Sequence, residues 1–552
     1  MKMGGGTTGS VIASRLTENP HVKVLLLEAG SDGTLLSWIP AAAALMWSLD
    51  KFDYRYTSEP QEDSCLALEG GRCRWPRGRM LGRSSALNGA IYIRGNHKDY
   101  DNWAALGNPG WSFNDLLPLF IRAEKFLVKD ASARDALYHG TGGYFPVSHT
   151  YFTELLSPFI EAGKSLGFLH NHDYNGASQR GFSRVQVAAE EGIRYSTAKA
   201  YLTPVKHRKN LQVVLNTVVS RIVLDETTKT AKGVEYLTEG GSTRFVSAKR
   251  EVILSAGAVA SPQLLMLSGI GPTEELHRHG IRPIVDLRVG ENMQSHTGPG
   301  GLYFSIKKKS GFYIPRLFTT DLIPSTLQYV LKGDGIVPSL SWILHAWETY
   351  KGLLFQPGFA IYPHAIQPKS RGKILLHSTN VKDHPIIIGN YFKDPADLKI
   401  AIEGTASTPI DFLGIFKTSS KGNLRSSSGI RLALRLGEQP AFKKFGAEFY
   451  SESLPGCRHL KQFTDEYWEC HIRQFTYLFF HDVGTCKMGP PTDPGAVVDP
   501  ALRVYGVRNL RVADASIMPV IVSGTTMAAA IVIGEKASDL IKSTHGISAS
   551  SN

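Results

Sequence analysis

Long apolar runs are absent from this chain. The best candidate, Ile39–Trp47, falls far short of the ~18–20 residues that a membrane-crossing helix needs. Cysteine is scarce, with five in 552 residues, and none stands in C-x2-C spacing. That excludes the usual cysteine zinc sites. Cys65 and Cys73 lie close together in sequence, as do Cys457 and Cys470. Each pair can close a local disulfide in a secreted protein, leaving Cys486 over; in a reducing compartment all five would be thiols. Charged residues make up only 20% against 42% hydrophobic, which excludes global disorder. No period supports a collagen, coiled-coil or tandem-repeat reading.

Acidic residues are outnumbered, and the net charge is +12. The excess is scattered apart from short clusters at 206–209 and 307–309. No aromatic–basic stripe accompanies them, so they read as solvated surface and not as a nucleic-acid interface. His170/His172 and His277/His279 are close pairs without a carboxylate or cysteine set beside them in sequence, and no metal site is expected. No signal peptide is visible.

What is present begins at the N-terminus. Gly4, Gly6 and Gly9 satisfy G-x-G-x-x-G, with Thr7 and Thr8 between them. A helix is expected from Ser10, and Val22–Leu27 reads as a buried parallel strand ending at Glu28, nineteen residues after Gly9. Glycines there let backbone approach a pyrophosphate, the helix N-terminus attracts its charge, and the acid holds a ribose hydroxyl. Only three residues precede the turn, where the pattern calls for a hydrophobic strand central in the sheet. The expectation is therefore a missing first strand, from a truncated gene model or transcript.

Four blocks then extend the pattern in order. Pro76-Arg77-Gly78-Arg79-Met80-Leu81-Gly82-Arg83-Ser84-Ser85-Ala86-Leu87-Asn88-Gly89 is the first, and Gly257-Ala258 through Gly271-Pro272 the second. His481-Asp482-Val483-Gly484-Thr485-Cys486-Lys487-Met488-Gly489 is the third. Val498-Asp499-Pro500, Leu510–Ser516 and Gly534–Ala537 make up the fourth. Together they resemble the glucose–methanol–choline (GMC) oxidoreductases, nearest the arthropod glucose-dehydrogenase-like and choline-dehydrogenase-like branch. The resemblance implies an α/β fold: a Rossmann-like FAD-binding domain with an interlaced α+β substrate domain, an antiparallel sheet covered by helices. It implies residues 1–150, 205–295 and 485–552 for the first and 151–204 and 296–484 for the second. It further implies FAD as cofactor, oxidation of an alcohol as reaction, and quinone or oxygen as electron acceptor. An extracellular location is its implication as well.

Carried over by position, the FAD-binding residues are Gly4, Gly6, Thr7, Thr8, Gly9, Glu28, Met80, Gly82, Ser85, Asn88, Gly89, Ala90, Ile91, Val219, Asp514, Ala515 and Thr526. Val219 lies on an expected strand Leu211–Leu224. Asp514 has a second reading, as an N-cap before Ser516. The catalytic residues are His481, as base, and Thr525. A histidine suits the base because it titrates near neutral pH. Four positions depart from the family pattern. Arg83 replaces a glycine, Thr525 replaces a histidine or asparagine, Met527 stands where an asparagine is common, and Ser295 replaces an acid before His296. These motivate a second hypothesis, a catalytically impaired flavoprotein or binding protein on the same fold.

Residues 405–429 interrupt the pattern with six serines, three threonines and three glycines. The flanks read as two halves of one amphipathic helix, with Leu398, Ile402, Ile430 and Leu434 on one face when Gly404 is joined to Ile430. A non-native insertion is expected, without a part in the core.

Overall fold

A computed structural model describes residues 1–40, 46–47, 49–150, 153–308, 356–403, 410–411 and 429–547. Its centre is a five-stranded parallel sheet. The elements that build it are strand β1 (Lys2–Met3), helix α1 (Thr7–Leu16), strand β2 (Val24–Leu27), strand β3 (Leu211–Val214), strand β4 (Val252–Leu254), helix α2 (Gly257–Leu267), strand β5 (Leu510–Val512) and helix α3 (Thr526–Thr544). The strand order is β3-β2-β1-β4-β5.

The strand expected to be missing is therefore present, in two residues. Lys2 pairs with Leu26 on one side and Ile253 on the other, and Met3 with Leu27 and Leu254. Gly4 N–H then donates to Leu27 O at 2.8 Å, and Ser255 N–H to Met3 O at 2.9 Å. Even so short a strand gives partners to backbone groups of both neighbours, each of which would otherwise cost ~1–3 kcal/mol. Lys2 is fully buried there, its ammonium on the Ser255 hydroxyl.

Two glycines make the turn that follows. Gly4 has φ +89°, and a Cβ on it would stand 2.4 Å from Ser255 O. A Cβ on Gly9 would stand 2.0 Å from Gly4 O, so α1 seats directly on the turn. Helix α3 packs along α1: Thr8 Oγ1 donates to Ala530 O at 2.8 Å, and Arg15 pairs with buried Glu535 at 2.9 Å.

The expected strand Leu211–Leu224 is two strands. Leu211–Val214 belongs to the parallel sheet, whereas Val218–Asp225 starts a three-stranded antiparallel sheet with Thr230–Leu237 and Thr243–Ser247. The chain bends at Asn216, φ +50°, where Asn216 and Thr217 N–H donate to Gly30 O and Glu28 O. That bend hooks Val219 to the end of β2.

A second antiparallel sheet carries the chemistry. Its order is Ile410–Asp411, His364–Ala365, Thr297–Pro299, Thr476–Leu478. Beside it, Leu302–Ser305 pairs with Gly358–Ile361 and Glu448–Phe449. Lys373–Leu375 pairs with Ile386–Ile388. One buried cluster surrounds the parallel sheet, and another joins residues 302–478 to Tyr56, Trp75, Ile160 and Phe182. Ala198–Leu202 pack into the first of these. Disulfides bridge Cys65–Cys73 and Cys457–Cys470, and Cys486 is buried and unbridged.

Most of 405–429 lies outside the described residues. The exceptions are Gly429 and Ile410–Asp411, and the latter pairs with Ala365 and His364, so that part of the segment does join the sheet. The flanking helices are Pro395–Glu403 and Ile430–Gly437. Gly429 abuts the last turn of the first, since a Cβ on it would meet Ala401 O at 2.4 Å.

Candidate active site

Three histidines converge at one end of the second antiparallel sheet. The strand Thr297–Pro299 runs antiparallel to Thr476–Leu478, with Thr297 opposite Leu478. Further along, Gln294 stands opposite Val483. The extra residues on the second strand bulge outward, with Phe480 at φ +60°, and the bulge presents His481. Bulges commonly re-aim a side chain in this way beside active sites. Arg77 fastens it: Nη1 donates to Phe480 O at 2.8 Å, and Nη2 pairs with the Asp482 carboxylate.

His296 is fully buried. Its Nε2 lies 2.9 Å from Ile366 O, and its Nδ1 lies 2.9 Å from His481 Nδ1. The Val522 carbonyl also faces this ring. Burial lowers the His296 pKa to about 4, so the ring is neutral near pH 7. A carbonyl only accepts, so His296 Nε2 carries the single proton and its Nδ1 offers a lone pair. His481 Nδ1–H then donates to it, which leaves a lone pair on His481 Nε2. His481 lines a cavity of about 230 Å³. Burial, then the neighbouring His296, His364 and Arg77, hold its pKa well below the ordinary histidine value. His364 also lines the cavity, and burial followed by His296 lowers it to about 3.

Around this base the wall is aromatic. Trp47, Tyr477, Phe479 and Phe480 line the cavity with Ile91 and Ile93. The rings interlock, with Tyr477–Phe479 centroids 4.8 Å apart and Trp47–Phe480 6.1 Å apart.

The expected cofactor residues fall along a groove. Gly6, Thr7, Thr8, Ser85, Asn88, Gly89, Ile91, Asp514, Ala515 and Thr526 line the same cavity as His481, and so does Thr525, expected as a catalytic residue. Gly4 and Val219 line a second cavity of about 570 Å³, which shares Tyr54, Tyr56, Arg83, Ala256 and Ala260 with the first. The remaining five line neither. Gly9 supports the turn, and Gly82 backs onto Ser196. Ala90 is core, and Met80 packs with Met46, Phe52, Ala86 and Leu87. Glu28 stands behind the glycine turn, accepting from Gly5 N–H at 2.7 Å, Gly30 N–H at 2.9 Å and Arg83 Nε at 2.8 Å.

Asp514 has the N-cap geometry and also faces the cavity. It caps Ser516 N–H at 2.8 Å while holding Gly257 N–H and the Ser261 hydroxyl. Thr525 is committed more tightly than its chemistry alone suggests: its hydroxyl donates to Ile91 O at 3.0 Å, so that proton is unavailable to an alkoxide. Asn88 Nδ2 points at Met527 Sδ, 3.1 Å away. Asp130 stands between His149 and His172 at 3.4 and 3.5 Å, a carboxylate brought in only by folding. Among the described residues no group of three or more His, Cys, Asp or Glu is arranged to hold a metal ion.

The groove fits FAD on its own chemistry. Neither α1 nor α3 has a side-chain cap at its N-terminus, and both start in the wall of the first cavity. The first-turn N–H groups and partial positive charge at these two helix ends suit anionic and polar atoms.

Residues 1–298 and 368–534 match the profile of the GMC oxidoreductases. The chain belongs to that family. It is 39% identical to the glucose dehydrogenase [FAD, quinone] of Drosophila pseudoobscura pseudoobscura, over 99% of the chain and 86% of that relative. It is 35% identical to human mitochondrial choline dehydrogenase, over 98% of the chain and 89% of that relative. The solved structure of an FAD-dependent oxidoreductase from Chaetomium thermophilum superposes with TM-score 0.81 at 26% identity, covering 99% of each chain. This GMC oxidoreductase is accordingly an FAD-dependent enzyme acting on CH–OH donors, and the catalytically impaired reading finds no support there. Among the described residues no helix is long and apolar enough to cross a membrane.

His296 and His364 are functional candidates that motif reading passed over. The run Gly290-Glu291-Asn292 before His296 was the available signal. Nothing in sequence links His296 or His364 to His481.

Proposed function

We propose that His481 Nε2 takes the hydroxyl proton of an alcohol held in the aromatic cavity, with His296 fixing the ring in the tautomer that can do so. The observation that carries this is the chain Ile366 O, His296, His481, with both contacts at 2.9 Å. The O–H bond breaks towards Nε2 as the C–H pair departs as hydride, leaving a carbonyl product. Bound FAD supplies the two-electron acceptor for that hydride. The glycine turn with α1 would hold its pyrophosphate, Glu28 a ribose, Val219 the adenine, and Asn88, Asp514, Ala515 and Thr526 the flavin side. Arg77 keeps the His481 bulge in place, and the interlocked rings exclude water.

The preferred donor is an alcohol with an apolar body. The carboxylate next to the base in sequence, Asp482, is already paired to Arg77, which leaves apolar and π contacts to hold a substrate. Glucose is the second reading, favoured by the name of the 39% identical Drosophila relative. That name also favours a quinone as electron acceptor. Two disulfides favour an extracellular location.

The test is anaerobic bleaching of bound flavin by candidate alcohols. An aliphatic or aromatic alcohol should bleach it faster than glucose. His481→Ala should slow bleaching by ~10²–10⁴-fold with flavin still bound, the usual contribution of a positioned base. A variant that bleaches as fast as the parent would remove His481 from this role.

A further inference from the structure

Among the described residues, Arg83 is the one charged side chain that lines both cavities of the groove. Its backbone is held at φ 45°, ψ −128°, a region that glycine enters freely and side-chain-bearing residues avoid. Neighbours enforce that conformation. Gly82 N–H donates to Gly5 O at 2.7 Å and Arg83 N–H to Met80 O at 2.8 Å, while the Arg83 carbonyl carbon would stand 2.2 Å from a Cβ on Gly78. The backbone therefore cannot relax, and the side chain is aimed inward over the glycine turn.

The stem lies against Gly6, where a Cβ would stand 3.1 Å from Arg83 Cδ. Gly6 is also the uncapped start of α1. Methylene groups thus cover the seat where backbone N–H groups would meet a pyrophosphate. The guanidinium goes further. Nε donates to Glu28 Oε2 at 2.8 Å, and Nη1 donates to Ala256 O at 2.7 Å. Glu28 is fully buried, and Arg83 nearly so. With Gly5 N–H and Gly30 N–H also on that carboxylate, little of it is left for a ribose hydroxyl.

We propose that Arg83 is an internal competitor for the FAD site: it takes the Glu28 carboxylate and covers the start of α1, so that FAD binds only by displacing it. Binding is then an exchange. The buried Arg83–Glu28 pair breaks, the stem swings off Gly6, and the dinucleotide takes both positions. Removing one partner of a buried pair is costly, and that cost is subtracted from FAD affinity. The guanidinium is not placed to grip phosphate in compensation, because its methylene stem, and not its N–H groups, lies over the turn.

The experiment measures FAD binding to the full chain by quenching of flavin fluorescence, for the parent, R83G and R83A. R83G removes both the side chain and the backbone strain, whereas R83A removes the competitor and keeps the strained backbone. Both should lower the FAD dissociation constant by about tenfold or more, and both should speed association. An R83A dissociation constant equal to or above the parent value would overturn the proposal. In that event a tighter R83G alone would assign the effect to backbone strain, and weaker binding by both would make Arg83 a phosphate ligand.

Discussion

Lys2 shows how much one side chain can carry. It is fully buried in a two-residue central strand, and desolvation lowers its pKa to about 7. Unfolded, the same amine binds its proton up to about 10.5. Between those values the unfolded chain holds more protons, so stability rises with pH across that window and the penalty is complete below about 7. Lys2→Leu should therefore raise the melting temperature, with a gain on the order of 1–3 kcal/mol, typical of an imperfectly satisfied buried polar group. The gap should narrow from pH 7 towards 10.5. Melting curves of both proteins at several pH values check this, and a gap independent of pH would refute it. At the same scale, His296→Ala should lower kcat for alcohol oxidation with little change in KM, because it orients the base and does not touch substrate. Removing it also takes away a neighbour that lowers the His481 pKa, so the acid limb of kcat/KM should move to higher pH. An unmoved limb would leave His296 a packing residue only.

Among the elements, the interrupted helix is the clearest case. Pro395–Glu403 and Ile430–Gly437 are separated by residues 404–429 in sequence, yet Gly429 meets the Ala401 carbonyl. The two pieces are thus neighbours, as their shared apolar face suggested. Closing a long loop carries an entropic cost that grows slowly with length, and nucleating a helix twice carries another. A chain joining Gly404 directly to Ile430 should melt no lower than the parent. The opposing contribution is the Ile410–Asp411 strand beside His364. If the fused chain melts lower, that strand and its neighbours are integral to the sheet. The same fusion reports on function, since an edge strand next to His364 could alter the cavity wall; an unchanged ranking of alcohols would place the segment outside it.

For the whole molecule, buried neutral histidines set the acid limit. His296 and His471 have pKa values lowered to about 4 and His364 to about 3, in each case chiefly by burial. Unfolded, each accepts a proton near 6.5. Their neutral burial therefore supports the fold fully above about 6.5, and that support is lost as pH falls from there towards 3–4. The melting temperature should drop between pH 6.5 and 4. His471→Leu, remote from the proposed base, should shallow that drop while leaving flavin bleaching intact. An equally steep drop in the variant would assign acid lability to other groups.

The sequence alone determined the family and the cofactor, and it named His481 as the candidate base, because those depend on short local patterns. A glycine turn needs its glycines in fixed order, a ribose acid must end the next strand, and His481 sits in a contiguous block. It misjudged what depends on pairing across the chain. Three residues before Gly4 looked too few for a strand, yet Lys2 and Met3 find parallel partners on both sides. Leu211–Leu224 read as one strand, because the bend at Asn216 answers to Gly30 and Glu28, remote in sequence. Met80 and Ala90, named from the motif, pack into buried clusters beside the groove. Only the tertiary structure brought His296 against His481 and Arg83 onto Glu28. The physical reason is the same in each case: a hydrogen bond or an ion pair acts over about 3 Å of space, and sequence distance does not measure that.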